Sequence, residues 1–373
     1  MNSGSRRLDK PAGVLARMSS LDGLRAASVA LVLLRHLSGT RGFGRVDLLV
    51  GDYGHLGVTV FFVISGFLIT TLLMSEQESN GQISIKLFYA RRSLRIFPAS
   101  YTYVIVASAL SALGMIHLRQ SDIWHSFAYT ANYLPSRSWY IGHLWSLSVE
   151  EQFYLLWPVA FVLAGYKKAR WVGLWVILVA IVARGANRVL LIDTPYHDLE
   201  MFPMVADSLA MGCMLALLRD RLESCKPYQL LLRPAGSLTV LGVILILNRF
   251  MAYSVINIFG TTLISFGIAV LIHRSVHSPQ DWAGRILNWK PVVFIGGLSY
   301  SLYLWQQLFL NRESGAWFNT YPQNLIGAVT LAMASYYAIE RPMLRLRKRL
   351  HVRPAERIIS FMPSPEATKS LSS

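Results

Sequence analysis

The chain has little charge for its length. Only 15% of its 373 residues are charged, whereas roughly a quarter is usual for soluble domains. Hydrophobic residues account for 53% of the chain, and the mean hydropathy is +0.40. This composition excludes an ordinary soluble protein and indicates a chain whose solvent is the lipid bilayer.

The chain has only two cysteines, and no sequence motif for a permanently bound prosthetic group is visible. Cys213 lies in an apolar stretch and Cys225 in a polar loop, so the sequence predicts neither a disulfide framework nor a metal site. No repeat of fixed period is visible. The N-terminal segment lacks a cleavable signal pattern, so the first apolar stretch is expected to start membrane insertion.

The apolar stretches predict about ten membrane spans. Each is close to the roughly 17–25 residues that an α-helix needs to cross a bilayer. The predicted fold class is therefore all-α, a polytopic transmembrane helical bundle. The spans are expected at 24–40, 56–74, 98–115, 144–164, 171–192, 203–218, 234–250, 255–273, 292–310 and 322–340.

Basic residues recur in alternate loops, and the net charge is +16. They concentrate in segments 6–17, 86–95, 167–170, 219–233, 274–290 and 345–350. Because cytoplasmic loops are enriched in Lys and Arg, both termini are predicted to be cytoplasmic. The positive charge is spread over successive loops and does not form one basic domain, which argues against a nucleic-acid partner.

Three segments follow from this pattern. We expect a cytoplasmic N-terminal tail at 1–19, a transmembrane domain at 20–345, and a cytoplasmic tail at 346–373. The last tail is basic at first and then rich in Pro, Ser, Glu and Lys, a composition typical of disorder.

Arg25 and His36 lie in the first span, eleven residues apart. At about 100° and 1.5 Å per residue, they share one helix face and are separated by about 16 Å along the axis. Ionisable groups at membrane depth are candidates for function. The simpler alternatives are an Arg that marks the end of the span and a His that packs against a neighbouring helix.

Adjacent acids, Glu150 and Glu151, lie in the motif HLWSLSVEEQFYLLWP at 143–158. Neighbouring side chains on a helix point about 100° apart. One carboxylate is therefore expected to face the bundle interior while the other caps or contacts an adjacent helix. For Glu151, a simple preference of acids for helix N-termini explains the position better than catalysis does.

Arg92 and Arg95 share a helix face in KLFYARRSLRIFPASY at 86–101. Arg pairs well with phosphate oxygens, so this cluster suits a ligand with several phosphates. Ordinary cytoplasmic positive charge is the alternative, and composition alone favours it.

Other polar groups lie inside predicted spans. Asp207 and Glu340 are isolated acids, and Ser65 with Gly66 suggests a close packing face. Tyr300, Tyr303 and Gln307 are aligned at helical spacing, so one stripe of span nine is expected to face the bundle interior.

Taken in order, these motifs resemble the acyltransferase-3 family of integral membrane acyltransferases. The resemblance covers residues 20–345. It rests on Arg-x10-His, FFVISGFLI, RRSLRIFP, HLWSLSVEEQFYLLWP, YSLYLWQ and the closing ERP.

The resemblance implies an O-acyltransferase in the bacterial inner membrane. Its partners would be membrane lipids, an acyl-CoA donor, most often acetyl-CoA, and a carbohydrate or glycolipid acceptor such as O-antigen or exopolysaccharide at the outer face. Arg92 and Arg95 would bind the donor phosphates, and the pantetheine arm would pass Arg25. His36 would act as general base or carry the acyl group, with Glu150 orienting the imidazole or assisting the acceptor. Glu340 would be a further important acid.

The chain departs from the family pattern at several positions. Thr59 replaces a frequent Asp, Arg35 precedes His36, Gln306 occupies a position where His is common, and Val205 replaces a frequent Arg. These departures bear on the acceptor more than on the donor. A small hydroxylated natural product such as a macrolide is an alternative acceptor, which no sequence feature separates from a polysaccharide. A sugar or anion transporter is the alternative outside enzymes.

Overall fold

The computed structural model describes residues 19–46, 52–250 and 254–350. The tails predicted at 1–19 and 346–373 lie outside these ranges, apart from Ser19 and residues 346–350. Within the described ranges the chain is all-helical and contains no strand, which confirms the all-α part of the predicted fold class. The helices are α1 (Ser19–Leu37), α2 (Tyr53–Asn80), α3 (Ile85–Ala112), α4 (Gln120–Phe127), α5 (Trp139–Gly142), α6 (Leu144–Leu190), α7 (Phe202–Glu223), α8 (Lys226–Leu232), α9 (Pro234–Arg249), α10 (Ser254–His277), α11 (Trp282–Leu287), α12 (Lys290–Trp305), α13 (Gln323–Ser335) and α14 (Arg341–Arg349).

Every predicted span overlaps a helix, but the helices differ in whether their length and apolar composition allow them to cross a membrane. Four described segments are long and apolar enough to cross one: Tyr53–Asn80, Trp139–Leu190, Phe202–Glu223 and Asn257–His277. The pair α8 and α9, bent by 79°, makes a fifth if it counts as one span. The remaining helices are too short or too polar by the same measure.

Gly165 breaks α6 into two halves. Its φ of 70° is left-handed, a conformation that glycine adopts without the steric cost that other residues meet. The break falls between the spans predicted at 144–164 and 171–192. The long helix thus corresponds to two predicted spans.

Glycines let α2 and α7 approach closely. A Cβ placed on Gly66 would lie 1.8 Å from the carbonyl oxygen of Leu209, and one on Gly212 would lie 2.0 Å from that of Val63. Any larger residue would therefore force the helices apart. This contact confirms the packing face predicted at Gly66.

Helix α1 is held between α2 and α12. Gly54 of α2 adjoins Arg35, and Gly57 adjoins Ser28, so α1 and α2 run in opposite directions. Gly296 of α12 packs against Asp22 near the start of α1. We call the end where α1 begins and α2 finishes the basic end, because arginines of α1, α3 and α14 meet there. The other end, where α1 finishes, is the far end.

Candidate functional site

A small cavity lies among α1, α2, α3, α6 and α12, toward the basic end. Its volume is about 80 Å³, and polar side chains contribute much of its wall. Arg25, Arg92, Arg95 and Glu150, all predicted from the sequence, line it together with Ser65. Helices distant in sequence thus bring six of the predicted site residues to one place, since Tyr300 and Tyr303 line the cavity as well.

Two of the three arginines that line this cavity make no direct ion pair with an acid in the described ranges. Arg25 pairs with Asp22 at 3.4 Å. In the described part of the chain, neither Arg92 nor Arg95 has a carboxylate oxygen within 4.0 Å. The Arg92 guanidinium instead lies 4.1 Å from the centre of the Tyr154 ring, a cation–π contact. Guanidinium groups gathered in this way suit an anion with several oxygens.

Arg347 of α14 belongs to the same positive cluster. It interacts electrostatically with Arg95, as do Arg25 and Arg92. The sequence predicted Arg347 only as part of the basic segment 345–350. No motif distinguished it, because its proximity depends on α14 packing against α3.

The two adjacent acids take different roles. The Glu150 carboxylate lines the cavity and accepts hydrogen bonds from the hydroxyls of Ser65 and Tyr154. Glu151 is absent from the cavity wall and interacts electrostatically with Tyr101 of α3. This divergence on one helix is what the 100° spacing predicted. Ser65 was predicted as a packing residue, but its hydroxyl is a polar contact of Glu150.

Both tyrosines of α12 reach the cavity. The Tyr300 hydroxyl donates to the carbonyl oxygen of Ile96 at 2.8 Å. The Tyr303 hydroxyl is 2.5 Å from Ser146 Oγ and 2.9 Å from the His143 carbonyl oxygen. The predicted polar stripe of α12 therefore faces the bundle interior.

Glu340 is close to the cluster but outside the cavity wall. It ends a π-helical turn, Tyr336–Glu340. Its carboxylate is buried and accepts a hydrogen bond from the Ser301 hydroxyl. It also interacts electrostatically with Arg95. This contact joins α12, α14 and the arginine cluster through one acid.

His36 lies at the far end and does not line the cavity. Its Nδ1 is 2.7 Å from Gln306 Oε1, and its ring meets Trp139 edge to face at 5.4 Å. An amide oxygen only accepts, so Nδ1 carries the proton and Nε2 keeps the lone pair. The side chain that hydrogen-bonds the imidazole is thus Gln306, whereas Glu150 accepts its hydrogen bonds from Ser65 and Tyr154. The sequence signal for Gln306 was its departure from the family pattern.

Asp207 is placed away from the arginine cavity. Its side chain is fully buried, pairs with Arg184 at 2.9 Å and accepts from the Thr262 hydroxyl at 2.5 Å. Arg184 comes from the second half of α6 and also donates to the Met204 carbonyl oxygen at 2.5 Å. These contacts tie α6, α7 and α10 together. Sequence reasoning missed Arg184, although an Arg inside a predicted span was a visible signal.

A second, larger cavity of about 450 Å³ opens among α2, α6, α7, α9 and α10. Its wall includes Asp52, His55, Asn187, Glu200 and Asn248. Amide, imidazole and carboxylate groups of this kind hydrogen-bond hydroxyls. Asp52 precedes α2 and interacts electrostatically with His36, so this polar cavity is at the far end. The sequence did not predict it, because its wall combines loops and helices separated by more than 200 residues, from Asp52 to Ile264.

Comparison with known proteins adds independent information. A sequence profile described as "Acyltransferase domain" matches residues 18–349. Peptidoglycan O-acetyltransferase OatA of Listeria monocytogenes is 30% identical over 317 residues, which cover 77% of this chain and 48% of that protein. A putative O-acetyltransferase of Staphylococcus aureus is 33% identical over 312 residues, covering 77% and 50%. The putative peptidoglycan O-acetyltransferase YrhL of Bacillus subtilis is 28% identical over 358 residues, covering 87% and 54%.

The chain spans about half the length of these curated relatives. No solved structure matches it.

Proposed function

The chain belongs to the acyltransferase-3 family of membrane O-acyltransferases, and we propose that it transfers an acetyl group from acyl-CoA to a carbohydrate hydroxyl. The donor would bind at the basic end and the acceptor at the far end. The observation that carries this proposal is the convergence of Arg25, Arg92 and Arg95 on one cavity. Neither Arg92 nor Arg95 has a carboxylate oxygen within 4.0 Å in the described ranges, and guanidinium groups bind phosphate oxygens well.

The first span connects the two ends. Arg25 lines the arginine cavity and His36 meets Gln306 at the other end of α1. Their separation of about 16 Å, from the helical rise, is comparable with the reach of a pantetheine arm. Phosphates held at the basic end are therefore compatible with a thioester presented to His36.

His36 supplies the base in this proposal. Nε2 accepts the proton of an acceptor hydroxyl while that oxygen attacks the thioester carbonyl. The new C–O ester bond forms, the C–S bond breaks, and the proton passes from the imidazole to the departing CoA thiolate. We favour this direct transfer as the simpler route, although the Nε2 lone pair that the Gln306 contact leaves available would serve an acyl-imidazole intermediate equally well.

The arginine cavity must widen to take the donor. A volume of about 80 Å³ corresponds to two or three water molecules at roughly 30 Å³ each. The walls that would part are helices α1, α3 and α12, whose facing side chains are Arg25, Arg95 and Tyr300. The donor is therefore expected to bind by displacing these side chains.

The polar far-end cavity supports a carbohydrate acceptor. Its Asp, His, Asn and Glu side chains provide both donors and acceptors for sugar hydroxyls. The names of two relatives specify peptidoglycan. We therefore place the glycan strand of peptidoglycan, or its lipid-linked precursor, first among acceptors, ahead of O-antigen, exopolysaccharide and small natural products.

The topology that fits this reaction is multi-pass. We propose ten spans, both termini in the cytoplasm, and residence in the bacterial inner membrane. The recurrence of basic residues in alternate loops supports this orientation. It places the arginine cavity toward cytoplasmic acyl-CoA and His36 toward the outer face.

Mass spectrometry tests the acceptor directly. Purified protein in lipid nanodiscs would receive isotope-labelled acetyl-CoA and, separately, muropeptide glycans, O-antigen glycolipid or a macrolide. Labelled acetyl esters on the glycan, absent with His36→Ala, are expected. Labelling of the macrolide alone would contradict a carbohydrate acceptor, and hydrolysis without any acetyl ester would contradict the transferase assignment.

A further inference from the structure

Three potential metal ligands meet where α7 and α10 end. Glu223 is the last residue of α7, and His273 and His277 lie one turn apart in the last two turns of α10. Their ligand atoms all lie within 4.8 Å of one another. None of the three lines either cavity described above. The cluster is therefore separate from the proposed reaction path.

The distances suit a small divalent cation. Glu223 Oε1 is 3.0 Å from His273 Nε2 and 3.9 Å from His277 Nδ1. Tetrahedral zinc with bonds of 2.0–2.1 Å keeps its ligand atoms roughly 3.3 Å apart. Small side-chain rotations would bring the three atoms to that separation. Two histidines and a carboxylate are a common set of zinc ligands.

His273 is already oriented as a ligand. Its ring is buried, and Tyr228 places its hydroxyl 3.0 Å from Nδ1. That contact directs Nε2 at Glu223. Histidines that bind metals usually have the other ring nitrogen held by a polar group in this way. Tyr228 comes from α8, so three helices contribute to one arrangement.

Backbone electrostatics also favour a cation here. Glu223 and His277 are the final residues of two helices, and helix C-termini carry partial negative charge. Arg219 competes for the carboxylate, since its Nε lies 3.8 Å from Glu223 Oε1. The Arg219 side chain is 39% exposed, so it is free to turn toward solvent when a metal arrives.

We propose that Glu223, His273 and His277 bind one divalent transition-metal ion of the zinc class. The ion links the ends of α7 and α10, and water completes its coordination. Because two ligands are partly exposed, the ion is exchangeable. Its expected effect is to stabilise the contact between these helices, with no part in acetyl transfer.

The test uses the full chain in lipid nanodiscs, purified with an affinity tag free of histidine. After chelator treatment, the protein is incubated with micromolar Zn²⁺, desalted and analysed for metal by mass spectrometry. Co²⁺, whose visible absorption reports on coordination, provides a second probe. Wild type is expected to retain one Zn²⁺ per chain, and zinc should raise its melting temperature.

Single substitutions locate the ion. His277→Ala and Glu223→Gln should each reduce Zn²⁺ affinity by at least 100-fold and abolish the thermal shift. Tyr228→Phe removes only the hydroxyl that orients His273, and should weaken binding about 10–100-fold. His117→Ala and Asp220→Asn are matched controls, because His117 is exposed in the loop after α3 and the Asp220 side chain is 90% exposed. Both should bind like wild type.

Two results would overturn the proposal. One is a wild-type protein that retains no zinc at micromolar concentrations. The other is full stoichiometry in both His277→Ala and Glu223→Gln, which would place the ion elsewhere. Acetyl transfer at the wild-type rate in each variant provides the check that the bundle has folded.

Discussion

His36 Nδ1 and Gln306 Oε1 are 2.7 Å apart, and this contact joins the far ends of α1 and α12. It fixes which imidazole nitrogen carries the proton, because the amide oxygen accepts only. The base proposed for acetyl transfer is therefore positioned by an uncharged residue.

Gln306→Met should lower kcat without changing KM for acetyl-CoA. The methionine fills similar space but accepts no comparable hydrogen bond, so the ring loses its orientation at a cost of roughly 1–3 kcal/mol. This corresponds to about a 5–150-fold loss of rate. Gln306→His, which retains an acceptor nitrogen, should restore much of the activity. Steady-state kinetics with both variants decide the point, and an equal rise in KM would indicate a structural role.

His36→Ala should leave the protein folded and abolish acetyl transfer. Loss of a general base costs about two to four orders of magnitude in rate. His117→Ala, which removes an exposed histidine, is the control and should be fully active. Rates are measured as CoA release in nanodiscs, with melting temperature as the check on folding. Near wild-type turnover in His36→Ala would refute the assignment.

Arg92→Gln and Arg95→Gln should weaken CoA binding. Each charge-assisted contact contributes roughly 1.5–3 kcal/mol, so each variant should lose about 10–150-fold in affinity. Arg91→Gln removes the same charge from the same helix, but Arg91 pairs with Glu76 at 2.6 Å and does not line the cavity. Calorimetric titration with CoA should leave this control unchanged. Equal losses of CoA affinity in all three variants would show that the cluster contributes only general positive charge and makes no specific contact with the donor.

Helical periodicity in the sequence predicted several features of the fold and of the candidate site. The other features depend on contacts between helices that are distant in sequence. The divergence of Glu150 and Glu151 follows from helix geometry, and the break at Gly165 falls where two predicted spans met. By contrast, the Arg184–Asp207 pair, the approach of Arg347 to Arg95 and the far-end cavity depend on which helices become neighbours. No local pattern encodes that choice.

The Asp122 carboxylate in α4 accepts hydrogen bonds from Arg119 in the loop before this helix. The contribution of this contact to the stability of the fold should depend on pH. Burial raises the pKa of the Asp122 carboxyl, but hydrogen bonds from Arg119 and Ser138 outweigh burial and hold the pKa below its usual value. A depressed folded-state pKa stabilises the protein above the unfolded value of about 3.9, and this contribution is lost as pH falls through the folded value.

Asp122→Asn should therefore destabilise the protein by roughly 1.5–3 kcal/mol at pH 7 and by progressively less as the pH falls below about 4. Melting temperatures of wild type and variant across this range test it. Asp193→Asn, at an exposed acid in the loop between α6 and α7, should have little effect at either pH. A difference in melting temperature between wild type and Asp122→Asn that stays constant with pH would contradict the predicted dependence of stability on Asp122 ionisation.

Arg25→Lys tests whether Arg25 directs the acyl-CoA donor or only fixes the orientation of the first span in the membrane. Lysine keeps the positive charge but loses the planar guanidinium fork. An anchor tolerates that exchange, whereas a residue that guides the pantetheine arm toward His36 does not. We expect the variant to insert in the wild-type orientation and to transfer acetyl groups at least tenfold more slowly. Protease accessibility of the termini reports on the orientation.

Sealed vesicles of one orientation separate enzyme from transporter. Acetyl-CoA is supplied on the side of the basic end and the acceptor glycan on the opposite side. Transfer across the bundle should release free CoA on the first side and form acetylated glycan on the second, because the donor phosphates stay with Arg92 and Arg95 while the acetyl group reaches His36. Movement of intact glycan without CoA release would show a transporter, and the transferase proposal would then fail.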